Sequence, residues 1–322
     1  MATLRLPDVV PSPTQDSERL RVALQGWGVD QEVIIWILGH RKAVQRKKIK
    51  ETYQQLFKES IIHCLQSTLS GVLGKAMSYW MEEPPERDAK LVEKTLKRGK
   101  AGITQLQVIV EIACASSPNH LMAVRQAYYS LFDCSLEEAI TSKVSSSLQK
   151  VVHSLRYTSQ NIYGFVISWY DRELVDLNVA KSEAAKLHEA IEKKQSDRDE
   201  VMWILSTRNF FQLRATFKHY KQNYQAIMSS GSDDLGSLLR VVILCIDAPE
   251  KHFAEVIRAS LSGHRTDVHS LARAILARVE IDMMKIKEEY FNMNKVSLDD
   301  AVVRKTSGGY KDFLMTLIGA RI

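Results

Sequence analysis

The chain has 322 residues, 45% of them hydrophobic and 25% charged, and it carries a formal net charge of +6 at pH 7. These values are typical of a globular protein and argue against an intrinsically disordered chain. The length favours several units or a repeat array over a single core, and the mild basic excess favours an anionic partner.

Membrane-spanning and secreted classes find no support in the sequence. No apolar run reaches the roughly 18 residues that a spanning helix requires. The opening stretch MATLRLPDVVPSPTQ has no apolar core, so we expect no secretory signal. The four cysteines, Cys64, Cys114, Cys134 and Cys245, are widely spaced, and we expect them to stay reduced in the cytosol.

The first clear loop signal is the stretch LQGWGVDQEV at residues 24–33, in which Trp27 stands between Gly26 and Gly28. Glycine costs about 1 kcal/mol in a helix interior, so two glycines around an aromatic residue predict a loop. In that loop Trp27 either presents its indole to an outside surface or packs half-buried against the protein itself. The sequence leaves both alternatives open.

Four amphipathic segments, each containing a tyrosine, recur along the chain. They are RKKIKETYQQLF (46–57), LMAVRQAYYSLF (121–132), LRATFKHYKQNY (213–224) and MMKIKEEYFNMN (283–294). Their tyrosines, Tyr53, Tyr128, Tyr220 and Tyr290, are separated by 75, 92 and 70 residues. Apolar residues at three- and four-residue spacing predict that each segment is a helix ending at its tyrosine.

The same register extends upstream of each tyrosine. Fifteen to twelve residues before it stand LGHR (38–41), ACAS (113–116), LSTR (205–208) and ILAR (275–278), each after an apolar run. This order predicts a buried helix, a turn and then the amphipathic helix in every unit. Four units of about 70 residues predict an all-α repeat array, with a linker inside the widest spacing.

This organisation resembles the annexin family, and plant annexins in particular. The resemblance rests on VPSPTQDSERLRVALQGWGVD, ILGHR, EEPPERDAKLV, VEIACASSPNHLMAVRQAYYSLFDCSLEEAI and APEKHFAEVIRASL, and it covers the chain from about residue 14 to 322. It implies an all-α fold of four annexin repeats, each of about five helices, that form a slightly curved disc.

The resemblance also predicts the domain boundaries. We expect an N-terminal tail at residues 1–13, followed by four repeats. Their expected limits are 14–85, 86–157, 158–246 (with the linker at its start) and 247–322.

The annexin resemblance implies calcium sites on the convex face, each built from a Gly-x-Gly-Thr loop and an acid about forty residues later. Calcium prefers several oxygen ligands, and glycines let backbone carbonyls approach it. The tyrosine register places these three positions at Gly26, Gly28 and Thr68 in the first repeat, Ala101, Ile103 and Lys143 in the second, and Gly263, Arg265 and Lys305 in the fourth. In the third they fall at Lys193, Gln195 and near Ser230.

No repeat keeps the full calcium pattern, so we expect calcium binding to be weak or lost. The best remnant is the pair Gly26 and Gly28, whose missing acid leaves only carbonyls and water. The expected loop positions instead carry basic residues: Lys97, Arg98, Lys100, Lys143, Lys193, Lys194, Arg265 and Lys305. His264 stands beside Arg265 in the fourth of these loops.

These substitutions suggest a hypothesis of fixed cations. Calcium with one carboxylate leaves a charge of +1 facing the lipid, and so does a lysine without a metal. We therefore expect Trp27 and the basic residues to contact an anionic phospholipid surface, with each cation adding about 1 kcal/mol. The alternative is that these residues form an ordinary solvated surface.

The resemblance implies a non-enzymatic, cytoplasmic protein that binds peripherally to the plasma membrane, with stress responses as a typical role. The alternative is a cytosolic scaffold for actin or another protein without membrane binding. We expect no nucleic-acid partner, because the basic residues recur at equivalent loops without interleaved aromatics.

Two features linked to other activities of plant annexins have plainer interpretations. His40 corresponds to a histidine linked to peroxidase activity, but no haem motif accompanies it, and we expect a structural or surface role. Cys114 and Cys245 resemble a paired-sulfur feature, but each lies in an apolar run, and we expect them to be buried.

Overall fold

The computed structural model describes residues 1–25, 28–97, 103–143, 175–193, 199–224 and 234–320. Within these ranges the regular structure is entirely α-helical, as the sequence predicted. The first repeat contains five helices, which are α1 (Pro13–Gln25), α2 (Gln31–Gly39), α3 (Ala43–Phe57), α4 (Ile61–Thr68) and α5 (Gly71–Met81).

The next eight described helices belong to the second and third repeats. They are α6 (Pro84–Leu96), α7 (Ile103–Ala115), α8 (Pro118–Phe132), α9 (Leu136–Lys143), α10 (Leu177–Glu192), α11 (Asp199–Thr207), α12 (Phe210–Asn223) and α13 (Asp234–Asp247). The fourth repeat again has five helices. They are α14 (Pro249–Ser262), α15 (Val268–Arg278), α16 (Met283–Asn294), α17 (Leu298–Lys305) and α18 (Gly308–Leu317).

The chain divides into two compact units. Unit 1 comprises residues 1–87 and 250–322, and therefore joins the first repeat to the fourth. Unit 2 is residues 88–249. In unit 1, α2 packs against α18, and α5 packs against α15 and α18. In unit 2, α7 of the second repeat packs against α13 of the third.

The repeat tyrosines are core residues. Tyr53, Tyr128, Tyr220 and Tyr290 are all buried. The prediction that each helix ends at its tyrosine was wrong, because all four helices continue for three or four residues beyond it. Helix-forming residues follow the tyrosine, and in three repeats the helix ends at a left-handed residue five positions after it: Lys58, Asp133 and Lys295, with φ of 57°, 53° and 57°.

In the two odd-numbered repeats an ion pair joins the first helix to the turn that follows the second helix. Arg41 donates to both carboxylate oxygens of Asp16, at 2.6 and 2.8 Å. Arg208 donates to Glu183 at 2.6 Å in the third repeat. Such bidentate or buried pairs fix the angle between the helices and thereby position the loop that joins them.

Candidate functional site

The loop between α1 and α2 is closed at its base by the backbone. The Asp30 N–H donates to the carbonyl of Ala23 at 3.0 Å, and the Asp30 carboxylate accepts from the Val33 N–H at 3.0 Å, which caps α2. Gly28 has a φ of +121°, and a side chain built there would meet nothing within 4 Å. The backbone therefore holds the start of α2 close to the end of α1, and the space beside the Gly28 Cα is open.

The loop between α14 and α15 in the fourth repeat has the same frame. The Asp267 N–H donates to the Ser260 carbonyl at 2.9 Å. The Asp267 carboxylate accepts from the N–H groups of His269 and Ser270, at 3.2 and 3.1 Å. Ser260 and Asp267 each stand 237 positions after Ala23 and Asp30, so the register assigned from the tyrosines holds in the geometry of the two loops.

Lys305 lies against this fourth loop. Its Nζ is 3.4 Å from the carbonyl oxygen of Gly263, and its own carbonyl accepts a hydrogen bond from the Thr266 hydroxyl at 2.9 Å. These contacts join residues 39 and 42 positions apart. The loop glycine and the residue at the acid position therefore meet in space, and the residue that arrives there carries an ammonium group.

Arg265 changes the backbone of the fourth loop. Its counterpart Gly28 has a φ of +121°, a conformation that glycine adopts readily and a side chain rarely does. Among the described non-glycine residues, positive φ occurs only at Lys58, Asp133 and Lys295. Arg265 therefore does not adopt the positive φ found at Gly28.

The residues present fit calcium poorly. Calcium needs a shell of oxygen ligands. In the fourth repeat the ammonium of Lys305 is the group directed at the Gly263 carbonyl, so a cation there would meet another cation. In the first repeat Gly28 is open, but Thr68, half-buried at the end of α4, supplies no carboxylate. The described part of the chain also holds no cluster of three His, Cys, Asp or Glu side chains suited to a metal.

The second repeat brings Lys97 and Tyr128 to one carboxylate, that of Glu93. Lys97 pairs with Glu93 at 3.0 Å, and the Tyr128 hydroxyl donates to the same carboxylate at 2.5 Å. Burial would raise the pKa of Glu93, but the hydrogen bonds from Tyr128 and Lys97, together with the charges of Lys97 and Lys143, lower it. The charge of Lys97 is thus largely offset, whereas Lys143 stays exposed at the end of α9.

Lys193 of the third repeat is paired in the same way. Its Nζ lies 2.5 Å from Glu189, one helical turn earlier. Neither glutamate was predicted as a partner, although each stands four residues before its lysine, the spacing at which helix side chains meet. Five predicted site residues, Gly26, Trp27, Arg98, Lys100 and Lys194, lie outside the described residues.

The comparison with protein-family models agrees with the repeat register. The annexin model matches four segments, residues 15–80, 87–155, 182–237 and 252–317. The chain belongs to the annexin family. Annexin D3 of Arabidopsis thaliana is 49% identical over the full length of both chains, and annexin Gh1 of Gossypium hirsutum is 36% identical over 99% of each.

Solved structures extend the agreement to the fold. The structure of chicken annexin V has a TM-score of 0.84 at 28% identity and covers 99% of this chain and 98% of its own. Annexin III gives the same TM-score and identity, with 99% and 97% covered. Annexins are in the main binding proteins, not enzymes, that attach peripherally to phospholipid membranes, in general with calcium. In the described residues of this annexin, no helix is long and apolar enough to cross a membrane.

Three residues singled out for other activities are buried in this annexin. The His40 ring lies 4.1 Å from that of Trp36, and its Nδ1 is 2.7 Å from the Trp36 carbonyl. Burial, more than the nearby charge of Arg41, lowers the pKa of His40. Cys114 and Cys245 are buried in the core of unit 2, and burial raises the pKa of the Cys114 thiol.

Proposed function

We propose that this annexin binds anionic phospholipid through the basic residues of its loops, with little need for calcium. The single observation that carries the proposal is the contact between Lys305 and Gly263 in the fourth repeat. The family pattern places calcium between these two positions. Here the ammonium of Lys305 lies next to the carbonyl oxygen that would bind the metal. A fixed cation therefore takes the place that the metal takes in a complete site.

Charge balance supports this exchange. Calcium with one carboxylate carries a net +1, and Lys305 alone carries +1, so the surface offered to a phosphate headgroup keeps its sign. Each lysine or arginine near an anionic leaflet contributes about 1 kcal/mol. Unlike calcium, this attraction persists in chelator, and it weakens as salt screens the charges.

The ion pairs reduce the number of effective cations. Lys97 and Lys193 are matched by Glu93 and Glu189, and we do not count them. Among the described residues this leaves Lys143, Arg265 and Lys305, which together bound the attraction at about 3 kcal/mol. Arg98, Lys100, Lys194 and the interfacial anchor Trp27 remain predicted contributors. Such a binding energy suits a reversible, peripheral association with the cytoplasmic leaflet of the plasma membrane.

Co-sedimentation with vesicles tests the proposal. Phosphatidylserine-rich and neutral vesicles are each mixed with the protein in chelator and in calcium, at low and at moderate salt. We expect pelleting with the acidic vesicles in chelator, lost as salt rises, and weakened by Lys305→Glu together with Lys143→Glu. The matched control is Lys48→Glu together with Lys285→Glu, an equal charge change on exposed residues of α3 and α16.

The remaining outcomes count against the proposal. Pelleting that requires calcium would mean that a working metal site exists. Chelator-resistant pelleting that the loop variants leave unchanged would assign the attraction to another surface. Failure to pellet under every condition would favour a cytosolic scaffold that binds actin or another protein.

A further inference from the structure

Unit 1 exposes a group of apolar side chains that the loops do not account for. Val44 is 68% exposed, Ile281 55%, Met284 52% and Phe291 51%. We call these four residues the apolar patch. Large exposed side chains occur singly on most proteins, but several in one place mark a binding surface.

One partly buried ionic contact places Val44 and Ile281 near one another. The Ala43 N–H donates to Glu280 at 2.8 Å, and Arg46 donates to the same carboxylate at 3.1 Å. Val44 follows Ala43, and Ile281 follows Glu280, so both exposed side chains lie within one residue of this contact. The start of α3 and the segment before α16 are thus held side by side.

Helix α16 extends the patch. Met284 and Phe291 are seven residues apart, so they share one face of the helix and lie about 10 Å apart along its axis. Glu288 stands between them on that face and is exposed. The backbone of Met284 is anchored by its N–H, which donates to the Met1 carbonyl at 2.9 Å.

The end of the patch near α3 has a basic rim. Lys42, Lys48 and Lys285 are exposed, and none forms an ion pair with any residue that the structure describes. Three nearby carboxylates, by contrast, are already matched: Glu280 by Arg46, Asp282 by Arg278, and Glu83 by Lys47 and Lys50. Glu51 is exposed on the same face of α3 as Val44 and offsets one of the three lysines, so this end of the patch keeps a positive excess.

The patch lies away from the loops proposed to meet lipid. Loop residue Gly28 precedes α2, and Val44 follows it. Helix α2 has nine residues and spans about 14 Å. In the fourth repeat, α15 likewise separates Arg265 from Ile281. A partner on the apolar patch would therefore bind at the other end of these helices from the loops.

We propose that the apolar patch and its basic rim form a docking surface for an amphipathic helix of another protein, with acidic residues beside its apolar face. The exposed side chains on two adjoining helices supply the apolar contact. The basic rim supplies attraction to acidic residues at the α3 end, while Glu288 disfavours them at the Phe291 end. This surface is independent of lipid binding.

Selection from a displayed library of random peptides about 15 residues long tests the proposal with the full chain. Enriched peptides are labelled, and their binding is measured by fluorescence anisotropy. The variants are Val44→Ser with Met284→Gln, and Lys48→Glu with Lys285→Glu. Val22→Ser is the matched control, because Val22 is exposed on α1 near the loop end. Circular dichroism verifies that each variant is folded.

We expect enriched peptides with apolar residues at helical spacing and an acidic excess. Their affinity should fall about tenfold or more in each patch variant and stay unchanged in Val22→Ser. An empty selection, a pool without acidic excess, or equal binding to the patch variants would overturn the proposal. Loss of chelator-resistant vesicle pelleting in the Val44→Ser, Met284→Gln variant, with peptide binding intact, would also overturn it and identify a lipid-binding surface.

Discussion

Converting the fourth loop back to a calcium site is the sharpest test of the fixed-cation proposal. Arg265→Gly restores the glycine that the loop pattern requires, and Lys305→Glu restores the acid at the residue that meets the Gly263 carbonyl. The double change removes two positive charges and adds one negative charge. At about 1 kcal/mol per charge, binding to acidic vesicles in chelator should weaken by about 3 kcal/mol, or more than a hundredfold.

Calcium should then recover most of the loss. The metal adds two positive charges, which leaves the loop one charge short of its natural value, so binding should return to within about fivefold. A site with one carboxylate and few fixed ligands belongs to the weak class, with a calcium Kd of about 0.1 to 1 mM. Millimolar calcium is therefore the appropriate concentration.

The assay is vesicle co-sedimentation with phosphatidylserine, with calorimetry of calcium in the presence of vesicles. Arg265→Gly with Lys305→Met is the matched control, because it removes both cations without supplying an acid. It should lose binding in chelator and regain nothing with calcium. If the Glu variant binds in chelator as well as the unchanged chain does, or if both variants respond to calcium alike, then Lys305 does not stand in the place of the metal.

Three further predictions concern stability, each measured by urea unfolding. Lys58→Gly should raise the free energy of unfolding by about 0.5 to 1 kcal/mol, because φ is 57° there, whereas Lys58→Ala should give no gain. Asp16→Asn should lower it by about 3 to 5 kcal/mol, because Arg41 would stay buried without its charge partner; a loss under 1 kcal/mol would contradict this reasoning. Burial holds the pKa of His40 below 6.5, so stability should fall as the pH drops through 6.5 towards the lower folded value; His40→Gln should flatten that fall, and an unchanged slope would refute the assignment.

The fold could be predicted from the sequence because each repeat has a buried tyrosine at the same position. Tyr53 and its three counterparts recur in register, and burial leaves few residue types able to fill such a position. The ends of the same helices were misjudged. Two of these helices end at Lys58 and Asp133, which have left-handed conformations. Glycine is the usual residue at such a position, so the sequence did not predict these helix ends.

Only part of the candidate site could be predicted from the sequence. The register correctly paired Gly263 with Lys305, because the loop glycine and the acid position are 42 residues apart in both the first and the fourth repeat. The sequence prediction overstated the basic charge at Lys97 and Lys193, because Glu93 and Glu189 stand one helical turn earlier and pair with them. The contact between Glu280 and the start of α3 joins residues 237 positions apart, so no local sequence pattern could predict it.

The pairing of the first repeat with the fourth has a consequence for synthesis of the chain. Residues 88–249 form a contiguous unit, so unit 2 can assemble as soon as that stretch has left the ribosome. The first repeat emerges earlier, yet α2 and α5 must wait for α15 and α18, made near the end of translation. At 5 to 20 residues per second the 235 residues from 88 to 322 take about 12 to 47 s. During that time the first repeat, the oldest part of the nascent chain, exposes the apolar surface that the fourth repeat later covers.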